Sequence, residues 1–581
     1  MSLEINQLNF TRFLDHNNNI VIMPEFFERF HIGENCKIQI TNIEDKTIKI
    51  IAFDIDKIDL EIEIRDCSFK GIFFTNCKIK ELHLLSVDIS EYSDNKFKAY
   101  DFYIDNCRIQ TVWSMYGKFH GGFLIRNNCL INSIRISDAI IENSLAFINS
   151  KATNFEVESS QLEYLRIEKN NHPNHDVINE IDKINLFRSI FRSGLRLWDV
   201  KFQTLSIYKS NVTQSESLSD YEKVIHIVTP EDYDKIEHLE ISESNFERDI
   251  IISISNIKQL NIYENSFNNF RINFWTIEKF KFSKNTLNKN FFLGFQDNGK
   301  DIKEFLFSNN TFVGEFYISD IFFEKKFYII GSTFQTYPSF IQDCHFKESC
   351  LTNFEFTNFS NLIFQNINFE NVSFQNFDIL NVKFKNCYWK DQNKLFYNRR
   401  TVSDENNDFK DYIQLKKVYA DLKMNFEDRN DYLAASKFYI SEQEIKRKIA
   451  KNNSLYEYLI LTIHKSISAY GESLSKVLFI LLTSLLSFSI IYLFTGFKNG
   501  EENIKYFFQL DIANICVMSK DYITAVILSI KNLVPFPVNT KFFIYTDETF
   551  KKSQTIELLQ KIFNFILLAS FTETFLKNLK K

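Results

Sequence analysis

The sequence contains very little glycine and proline. Of its 581 residues, 13 are glycine and 6 are proline, whereas about 7% and 5% are usual. This scarcity excludes collagen-like, proline-rich and glycine-rich linker segments. No G-x-G-x-x-G or G-x-x-x-x-G-K-[ST] motif occurs. We therefore do not expect a phosphate site that is cradled by glycines.

The chain also lacks an excess of basic charge. Its 68 lysines and arginines are outnumbered by 74 acidic residues, which gives a net charge of −6. Proteins dedicated to nucleic-acid binding usually carry a basic surface, so no nucleic-acid partner is expected. The apolar fraction of 45% excludes a disordered chain. No metal-ligand spacing occurs, and neither a metal nor another cofactor is expected.

The nine cysteines never form a C-x-x-C pair. They recur in phrases such as Asn76-Cys77-Lys78-Ile79 and Asn106-Cys107-Arg108-Ile109, with cysteine two residues before a large apolar residue. Both side chains then point to the same side of a strand. We expect free, buried thiols that serve as small core residues in a reducing compartment, with metal or disulfide use as the alternative.

Large apolar residues recur at every fifth position late in the first two thirds of the chain. A second apolar residue stands two positions before most of them, and asparagine often stands three before. No α-helix keeps one face at this period, and neither does an uninterrupted strand. A four-sided β-solenoid with about 20 residues per turn does. The series is Phe354, Phe359, Phe364, Phe369, Phe374, Ile379, Phe384 and Trp389.

Residues 354–390 resemble the pentapeptide-repeat family. The family unit has a small residue, then Asp or Asn, then a central Leu or Phe. This chain departs from it by placing bulky Ile, Val or Phe where the family prefers Ala or Cys. The resemblance implies an all-β, right-handed quadrilateral β-solenoid.

A longer repeat precedes this stretch. The phrase that begins at Ile236 returns at Ile257, Ile277 and Ile302, with spacings of 21, 20 and 25 residues. One solenoid over residues 1–395 explains both repeats. We expect Asn-rich corners in the left-handed conformation, and stacked Asn side chains bonded along the axis. The irregular stretches 170–182 and 213–234 are predicted to be loops.

The solenoid region is not expected to be an enzyme. Carbohydrate-cleaving sites need paired or clustered carboxylates. The acidic residues here are scattered, without repeated Asp pairs. The long, regular faces of a solenoid are instead suited to binding a protein or another ligand.

Residues 400–472 are predicted to form a helical connector. Apolar spacing predicts one amphipathic helix from Phe409 to Phe426 and a second from Tyr432 to Ile449. The simplest interpretation is a helical hairpin that caps the open end of the solenoid. The basic residues at 446–448 and Lys451 either meet anionic lipid headgroups or are solvated.

Residues 473–581 are predicted to form an α-helical membrane module. Residues 477–497 carry no charge and are long enough to span a bilayer. The apolar stretch 522–534 is too short to span a bilayer and is predicted to be a re-entrant or interfacial helix. Residues 555–576 are long enough for a second span, although an interfacial helix is the alternative.

Polar residues interrupt the second span along one helical stripe. Such residues normally face protein or a water-filled cavity. With two residues at the end of the short helix, they are the candidate pore-lining residues. The set is Lys531, Asn532, Glu557, Gln560, Lys561 and Asn564.

The connector contains a distinctive set of residues shortly before the first span: Ala435, Ser436, Phe438, Tyr439, Glu444, Tyr470, Gly471 and Glu472. Through these residues, the connector and the membrane module resemble bacterial membrane proteins that combine pentapeptide repeats with a two-transmembrane, ion-channel-like module. The run after the short helix, residues 531–537, contains no glycine, so the filter of potassium channels is not expected.

The resemblance implies an integral, channel-like protein in the bacterial inner membrane, assembled as a homo-oligomer, with a tetramer as the working expectation. Its solenoid would sense or dock a partner and gate a small pore, in a stress or defence response. The first residues have no signal-like character; this and the free cysteines favour a cytoplasmic solenoid and cytoplasmic termini. The alternative is a membrane-anchored solenoid scaffold without a pore.

Overall fold

The computed structural model divides into two compact units, Met1–Asp391 with Leu395–Arg400, and Gln392–Lys394 with Thr401–Lys581. The described residues are 2–6, 10–14, 20–22, 35–44, 46–51, 59–89, 100–169, 179–213, 224–230, 233, 236–294, 300–335, 338–347, 350–355, 361–369, 372–377, 382–389, 396–397, 409–499, 502–506, 512–533 and 551–579.

The first unit is a parallel β-solenoid with about 13 turns over residues 38–385, which confirms the predicted fold class. Four paired segments make up one turn. In the turn that begins at residue 180, the short segments 180–181 and 190–191 alternate with the longer segments 183–187 and 194–198. Each segment pairs in parallel with its equivalent in the neighbouring turns, so main-chain hydrogen bonds run along the axis.

Most strands repeat this scheme, after a short 3₁₀ helix at Phe10–Phe13 near the start. The solenoid strands are Ser2–Asn6, Ile20–Ile22, Asn35–Thr41, Lys46–Ile51, Asp59–Thr75, Lys78–Ile89, Phe102–Asp105, Arg108–Met115, Lys118–Phe119, Gly122–Arg126, Leu130–Ser137, Ile140–Ile148, Lys151–Glu158, Gln161–Glu168, Asn179–Phe187, Ile190–Trp198, Val200–Tyr208, Asn211–Val212, Val224–Val228, Ile236–Ser242, Asn245–Phe246, Asp249–Tyr263, Ser266–Phe267, Phe270–Ser283, Thr286–Leu287, Phe291–Leu293, Lys300–Ser308, Thr311–Phe312, Phe316–Ser319, Ile321–Ile330, Thr333–Phe334, Ser339–Gln342, His345–Phe346, Leu351–Glu355, Leu362–Gln365, Ser373–Phe377, Lys383–Lys385 and Phe396–Tyr397.

Phenylalanine fills the interior, as the five-residue period predicts. Phe354, Phe364 and Phe369 are fully buried, and the ring of Phe364 stacks on that of Phe384 at 5.6 Å. Stacked rings on successive turns combine area burial with favourable ring geometry. The members Phe359 and Ile379 lie outside the described residues.

Both of the predicted loops contain a strand or part of one. Asn179–Phe187 begins inside the stretch predicted as the first loop, and Val224–Val228 lies inside the second. Ile225 and Ile227 are buried, and this strand pairs with the segment that begins at Asp249. Because the repeat is interrupted in the sequence here, the short alternating strand Val224–Val228 could not be recognised from its period. Residues 170–178 and 214–223 lie outside the described residues.

The corners are turned largely without glycine. Asn76, Asn106 and Asn386 adopt left-handed φ values of 53°, 51° and 52°, which confirms the expected use of asparagine. At another corner, however, Lys209 and Glu243 adopt the same conformation. At this corner it is the side chain of the next residue in the chain that forms the hydrogen bonds.

That next residue belongs to a buried column of small polar side chains, which we call the corner column. The main-chain N–H of each member donates to the side chain of the member one turn later. The distance is 2.9 Å from Ser244 N to Asn265 Oδ1, and 3.0 Å from Asn265 N to Asn285 Oδ1. The predicted stacking of asparagine is therefore present. The column comprises Ser160, Ser189, Ser210, Ser244, Asn265, Asn285, Asn310 and Ser332.

Cysteine takes an equivalent place at the opposite corner. The N–H of Cys77 donates to Cys107 Sγ at 3.3 Å, and that of Cys107 to Cys129 Sγ at 3.4 Å. Seven of the nine cysteines have side chains that the structure describes; these seven are free, and six of them are buried. Burial raises the pKa of Cys129 to about 11 and that of Cys344 to about 12. These thiols are therefore neutral core groups, as expected.

The second unit is helical. Its described helices are α1 (Phe409–Asp428), α2 (Tyr432–Asn453), α3 (Leu455–Ser468), α4 (Leu474–Thr495), α5 (Ile512–Lys531) and α6 (Lys551–Leu579). A short antiparallel hairpin pairs Phe497–Asn499 with Glu502–Ile504.

The first two helices match the predicted connector helices, and their role as a cap stays a prediction. Helix α3 was not expected, because the connector was interpreted as a two-helix hairpin. Helix α5 begins ten residues before the predicted start at Tyr522. Helices α4 and α6 are long and apolar enough to cross a membrane, with mean hydropathies of 2.5 and 1.2 over their most apolar windows.

Replacing Asn285 with Ala should lower the free energy of unfolding of the solenoid by about 1–3 kcal/mol. The change leaves the buried N–H of Asn265 and the carbonyl of Ile262 without their amide partner. All four tryptophans lie before residue 390, so denaturant unfolding followed by their fluorescence reports on this unit. The exposed Asn288→Ala is the matched control and should change stability by less than about 0.5 kcal/mol. Equal effects of the two substitutions would contradict a structural role for the column.

Candidate functional site

Helices α4 and α6 run in opposite directions. Near the start of α4, Val477 packs with Leu567 of α6 and Ile467 of α3. Near the end of α4, the Tyr492 hydroxyl donates to Gln560 Oε1 at 2.8 Å, and Gln560 lies in the first half of α6. If both helices span a bilayer, the connector and the end of α6 lie on the same side of it.

A hydrogen-bonded polar network lies between α4, α5 and α6. Tyr492 and Gln560 are fully buried, and Asn532 is 3% exposed. Asn532 Nδ2 donates to the Tyr492 hydroxyl at 3.1 Å, while Gln560 Nε2 donates to the carbonyl of Ser529 at 3.1 Å. Asn564 Nδ2 donates to the carbonyl of Asn532 at 3.1 Å. The end of α5 is thereby bonded to both neighbouring helices.

The network contains three of the predicted pore-lining residues, Asn532, Gln560 and Asn564. Their hydrogen-bond partners lie inside the same chain. Tyr492 and Ser529 were missed, although each is a polar residue in an otherwise apolar helix, a signal that the sequence contains. A pore role for the three residues stays a prediction.

The other predicted pore residues lie outside this network. Lys561 Nζ and Glu557 Oε1 form an ion pair at 2.5 Å, one turn apart on α6. Both side chains are part-buried, at 32% and 24% exposure. Lys531 is the last residue of α5 and is also part-buried.

The motif residue Glu444 joins helices α2 and α3 to the turn before α4. Its carboxylate accepts from Lys465 Nζ at 2.8 Å, the Tyr470 hydroxyl at 2.9 Å and Arg447 Nη2 at 3.0 Å. Burial alone would raise the pKa of the Glu444 carboxyl. The three donors outweigh that effect and hold its pKa below the usual value.

The turn itself is tied to the end of α6. Lys577 Nζ donates to the carbonyl of Tyr470 at 3.3 Å. Gly471 has φ +80°, and a Cβ there would lie 2.8 Å from Lys577 Nζ and 2.9 Å from Glu573 Oε1. Glycine is therefore favoured chiefly by this left-handed conformation, since the two side chains nearest to a Cβ are flexible.

The remaining motif residues lie next to this turn. Phe438 is buried, with its ring 5.4 Å from that of Phe426. The other four line a pocket of about 590 Å³, in which Lys577 Nζ lies 4.7 Å and Lys423 Nζ 5.0 Å from the Tyr439 ring. The pocket offers cations, carboxylates and an aromatic wall to a small polar group. It is lined by Lys423, Glu427, Asp428, Tyr432, Ala435, Ser436, Tyr439, Glu472 and Lys577.

The solenoid carries a separate candidate surface. The repeated Asn-Cys-Lys and Asn-Cys-Arg phrases place Lys78 beside Arg108 on adjacent turns. With Lys151 and the corner asparagines, they line a groove of about 570 Å³. Lys151 also pairs with Glu180 at 2.7 Å. The cations of this groove favour an acidic partner. Among the described residues of the whole chain, no group of three His, Cys, Asp or Glu is placed to bind a metal ion.

Comparisons of the chain with protein-family models, with curated proteins and with solved structures find no match. The resemblance to pentapeptide-repeat membrane proteins therefore depends on the residues quoted above. The β-solenoid and the two apolar helices agree with it at the level of the fold.

Replacing Glu444 with Gln should lower the stability of the helical unit by about 1–3 kcal/mol, because three donors lose their charged acceptor. The circular dichroism of the helices during unfolding of the full chain in detergent measures this loss. The lowered pKa means that the contribution of Glu444 is present above pH 4.5 and disappears as the pH falls through the folded value. The difference between the two proteins should therefore shrink in acid.

Glu427→Gln is the control for that experiment. Glu427 meets Lys423 only at 3.9 Å and is 43% exposed, so a change of less than about 0.5 kcal/mol is expected. A Glu444→Gln chain that is as stable as this control would show that the junction is not held by the carboxylate.

Proposed function

We propose that this chain is a membrane-anchored β-solenoid scaffold, in which α4 and α6 insert into the bilayer and the solenoid docks a partner. One observation carries the proposal: the outward faces of α4 and α6 are largely apolar, while Tyr492, Gln560 and Asn564 are buried. The exposed apolar residues include Leu478, Phe479, Leu482, Leu486, Ile490 and Ile491 on α4, and Leu558, Leu559, Ile562, Phe563, Phe565 and Ile566 on α6.

Lipid explains this arrangement better than water. A large contiguous apolar patch on the surface of a protein usually marks a site of interaction with another protein or with a membrane. The 22 residues of α4 extend over about 33 Å, which matches the hydrocarbon thickness. A polar group left unpaired in hydrocarbon costs several kcal/mol. The bonds that join Tyr492, Gln560 and Asn532 avoid that cost, so the burial of Gln560 on α6 has an explanation that needs no pore.

The groove at Lys78, Arg108 and Lys151 is the docking surface that we assign to the scaffold. The three side chains share one corner of nearby turns, and a linear acidic ligand can follow them along the axis. A solenoid presents such a face without any single active site. No enzymatic role is proposed.

The second candidate function is the oligomeric, channel-like one. The observation that favours it is the part-buried Glu557–Lys561 pair near the end of α5, where Lys531 lies. Charges at that depth in a span usually serve a pathway or a counter-charge. Lys531, Glu557 and Lys561 of several copies would line the pore, and a partner on the solenoid would gate it in a stress or defence response.

Anchoring can be tested by alkaline extraction of membranes that contain the full chain. The unsubstituted protein should remain with the membranes. The double substitution Leu482→Lys and Leu486→Lys should release it, since each lysine costs about 2.5–3.5 kcal/mol near the centre of a span. Replacing the same two leucines with alanine is the matched control, which should remain membrane-bound. Release of the unsubstituted protein would refute the anchor.

Planar-bilayer conductance distinguishes the scaffold from the channel. The full chain, once its insertion is verified, should give no discrete conductance steps. Cysteines introduced at positions 560 and 564 should resist aqueous thiol reagents, because both side chains are fully buried. Steps that change with Lys531→Ala or Asn564→Asp, with reagent access at 560 and 564, would instead establish a pore.

A further inference from the structure

Helix α3 exposes a continuous apolar stripe. Five of its large apolar residues are 46–76% exposed. They follow one another at positions i, i+1, i+4, i+5 and i+8, which share one side of a helix. The stripe, named here the α3 stripe, consists of Leu455, Tyr456, Leu459, Ile460 and Ile463.

The other side of α3 packs against the rest of the unit. Ile467 lies in a cluster with Val477 and Leu567. The Tyr458 hydroxyl meets Arg447 Nη1 at 3.5 Å, and His464 Nε2 lies 3.5 Å from Glu573 Oε2. These contacts fix the rotation of α3, so the stripe points away from the helices that hold it.

The contacts also fix the level of α3 relative to the two spans. It ends beside the first turn of α4, where Lys476 Nζ donates to the carbonyl of Lys465 at 2.9 Å. The charged residues Glu573 and Lys577, close to the end of α6, lie at the same level. Charges of this kind mark the depth at which a span leaves the hydrocarbon. If α4 and α6 span the bilayer, the C-terminal end of α3 therefore lies near the level of the lipid headgroups.

We propose that α3 is an interfacial helix whose stripe is buried in the boundary between the headgroups and the acyl chains. The inference rests on the proposed anchoring by α4 and α6. The helix has 14 residues, or about 21 Å, and is too short to span. An amphipathic helix of this form lies in the plane of the interface. Tyr456, with its apolar ring and polar hydroxyl, suits that position.

The binding is apolar rather than electrostatic. The basic residues predicted to meet anionic headgroups are largely engaged within the chain: Lys446 pairs with Glu442 at 2.9 Å, and Arg447 pairs with Glu444 at 3.0 Å. Lys465 also pairs with Glu444. Contact with lipid should therefore persist at high salt and should not require anionic lipids.

Fluorescence quenching in vesicles of phosphatidylcholine tests this inference with the full chain. Leu459→Cys carries a polarity-sensitive label on the stripe, and Lys417→Cys carries the same label on an exposed site of α1. Leu482→Cys on α4 reports insertion of the span. Six of the described native thiols are buried, so the introduced cysteines should react first; the unsubstituted chain, labelled in parallel, gives the background.

Quenching lipids carry a nitroxide either near the headgroup or near the end of the acyl chain. The label at 459 should be quenched several-fold more by the shallow nitroxide than the label at 417, with no change at high salt. The label at 482 should be quenched mainly by the deep nitroxide.

If the label at 482 is quenched, the anchor stands. Two results would then overturn the inference about α3 alone. The first is a label at 459 that behaves like the one at 417. The second is energy transfer between donor- and acceptor-labelled copies at 459 without lipid quenching, which would assign the stripe to a second copy of the chain. Loss of quenching at 482 as well would refute both the anchor and the interfacial helix.

Discussion

The main-chain N–H groups of the corner column are the groups on which this part of the solenoid depends. Each is buried, points along the axis and needs an acceptor from the neighbouring turn. Serine, asparagine and cysteine can each supply one from a small side chain. Within the corner column, this requirement explains why the residue after the corner is serine or asparagine, while the corner itself accepts lysine, glutamate or asparagine. The large apolar residues then fill what remains of the interior.

The same physical demand recurs in the helical unit, with a different solution. A polar side chain that is buried in an apolar environment is costly when it is left unpaired. Gln560 and Asn564 on α6 bond to a tyrosine on α4 and to the main chain at the end of α5. These two residues thereby help to fix the arrangement of three helices. The exposed surfaces of α4 and α6 are otherwise largely apolar, apart from charged residues such as the Glu557–Lys561 pair.

The solenoid was predictable from sequence because its pattern is one-dimensional. A period of five residues, or a phrase that returns after about 20, excludes other regular structures without knowledge of any long-range contact. The prediction failed where the pattern was interrupted, at Val224–Val228, although Ile225 and Ile227 alternate as in other strands. Insertions on both sides concealed the register of that strand.

The helical unit was predicted less completely, because a sequence pattern shows which face of a helix is polar but not what lies opposite. Gln560 and Asn564 were recognised as one stripe. Gln560 bonds to Tyr492 and Ser529, and Asn564 bonds to the carbonyl of Asn532. These partners all lie on or next to other helices, at separations that no periodicity encodes. Helix α3 was missed for a related reason: its apolar residues were close to the span and were not considered as a separate element. The connector motif was found by resemblance, and only the fold brings Glu444 to Tyr470.

The corner column has a further consequence for how such a chain can change in evolution. Each turn offers one donor to the turn after it and one acceptor to the turn before it, and both groups lie at equivalent positions. A duplicated or deleted whole turn would therefore restore every junction that it breaks. The length of the solenoid can vary in steps of one turn while the elements at its ends are retained, so the number of turns is a heritable quantity separate from the helical unit.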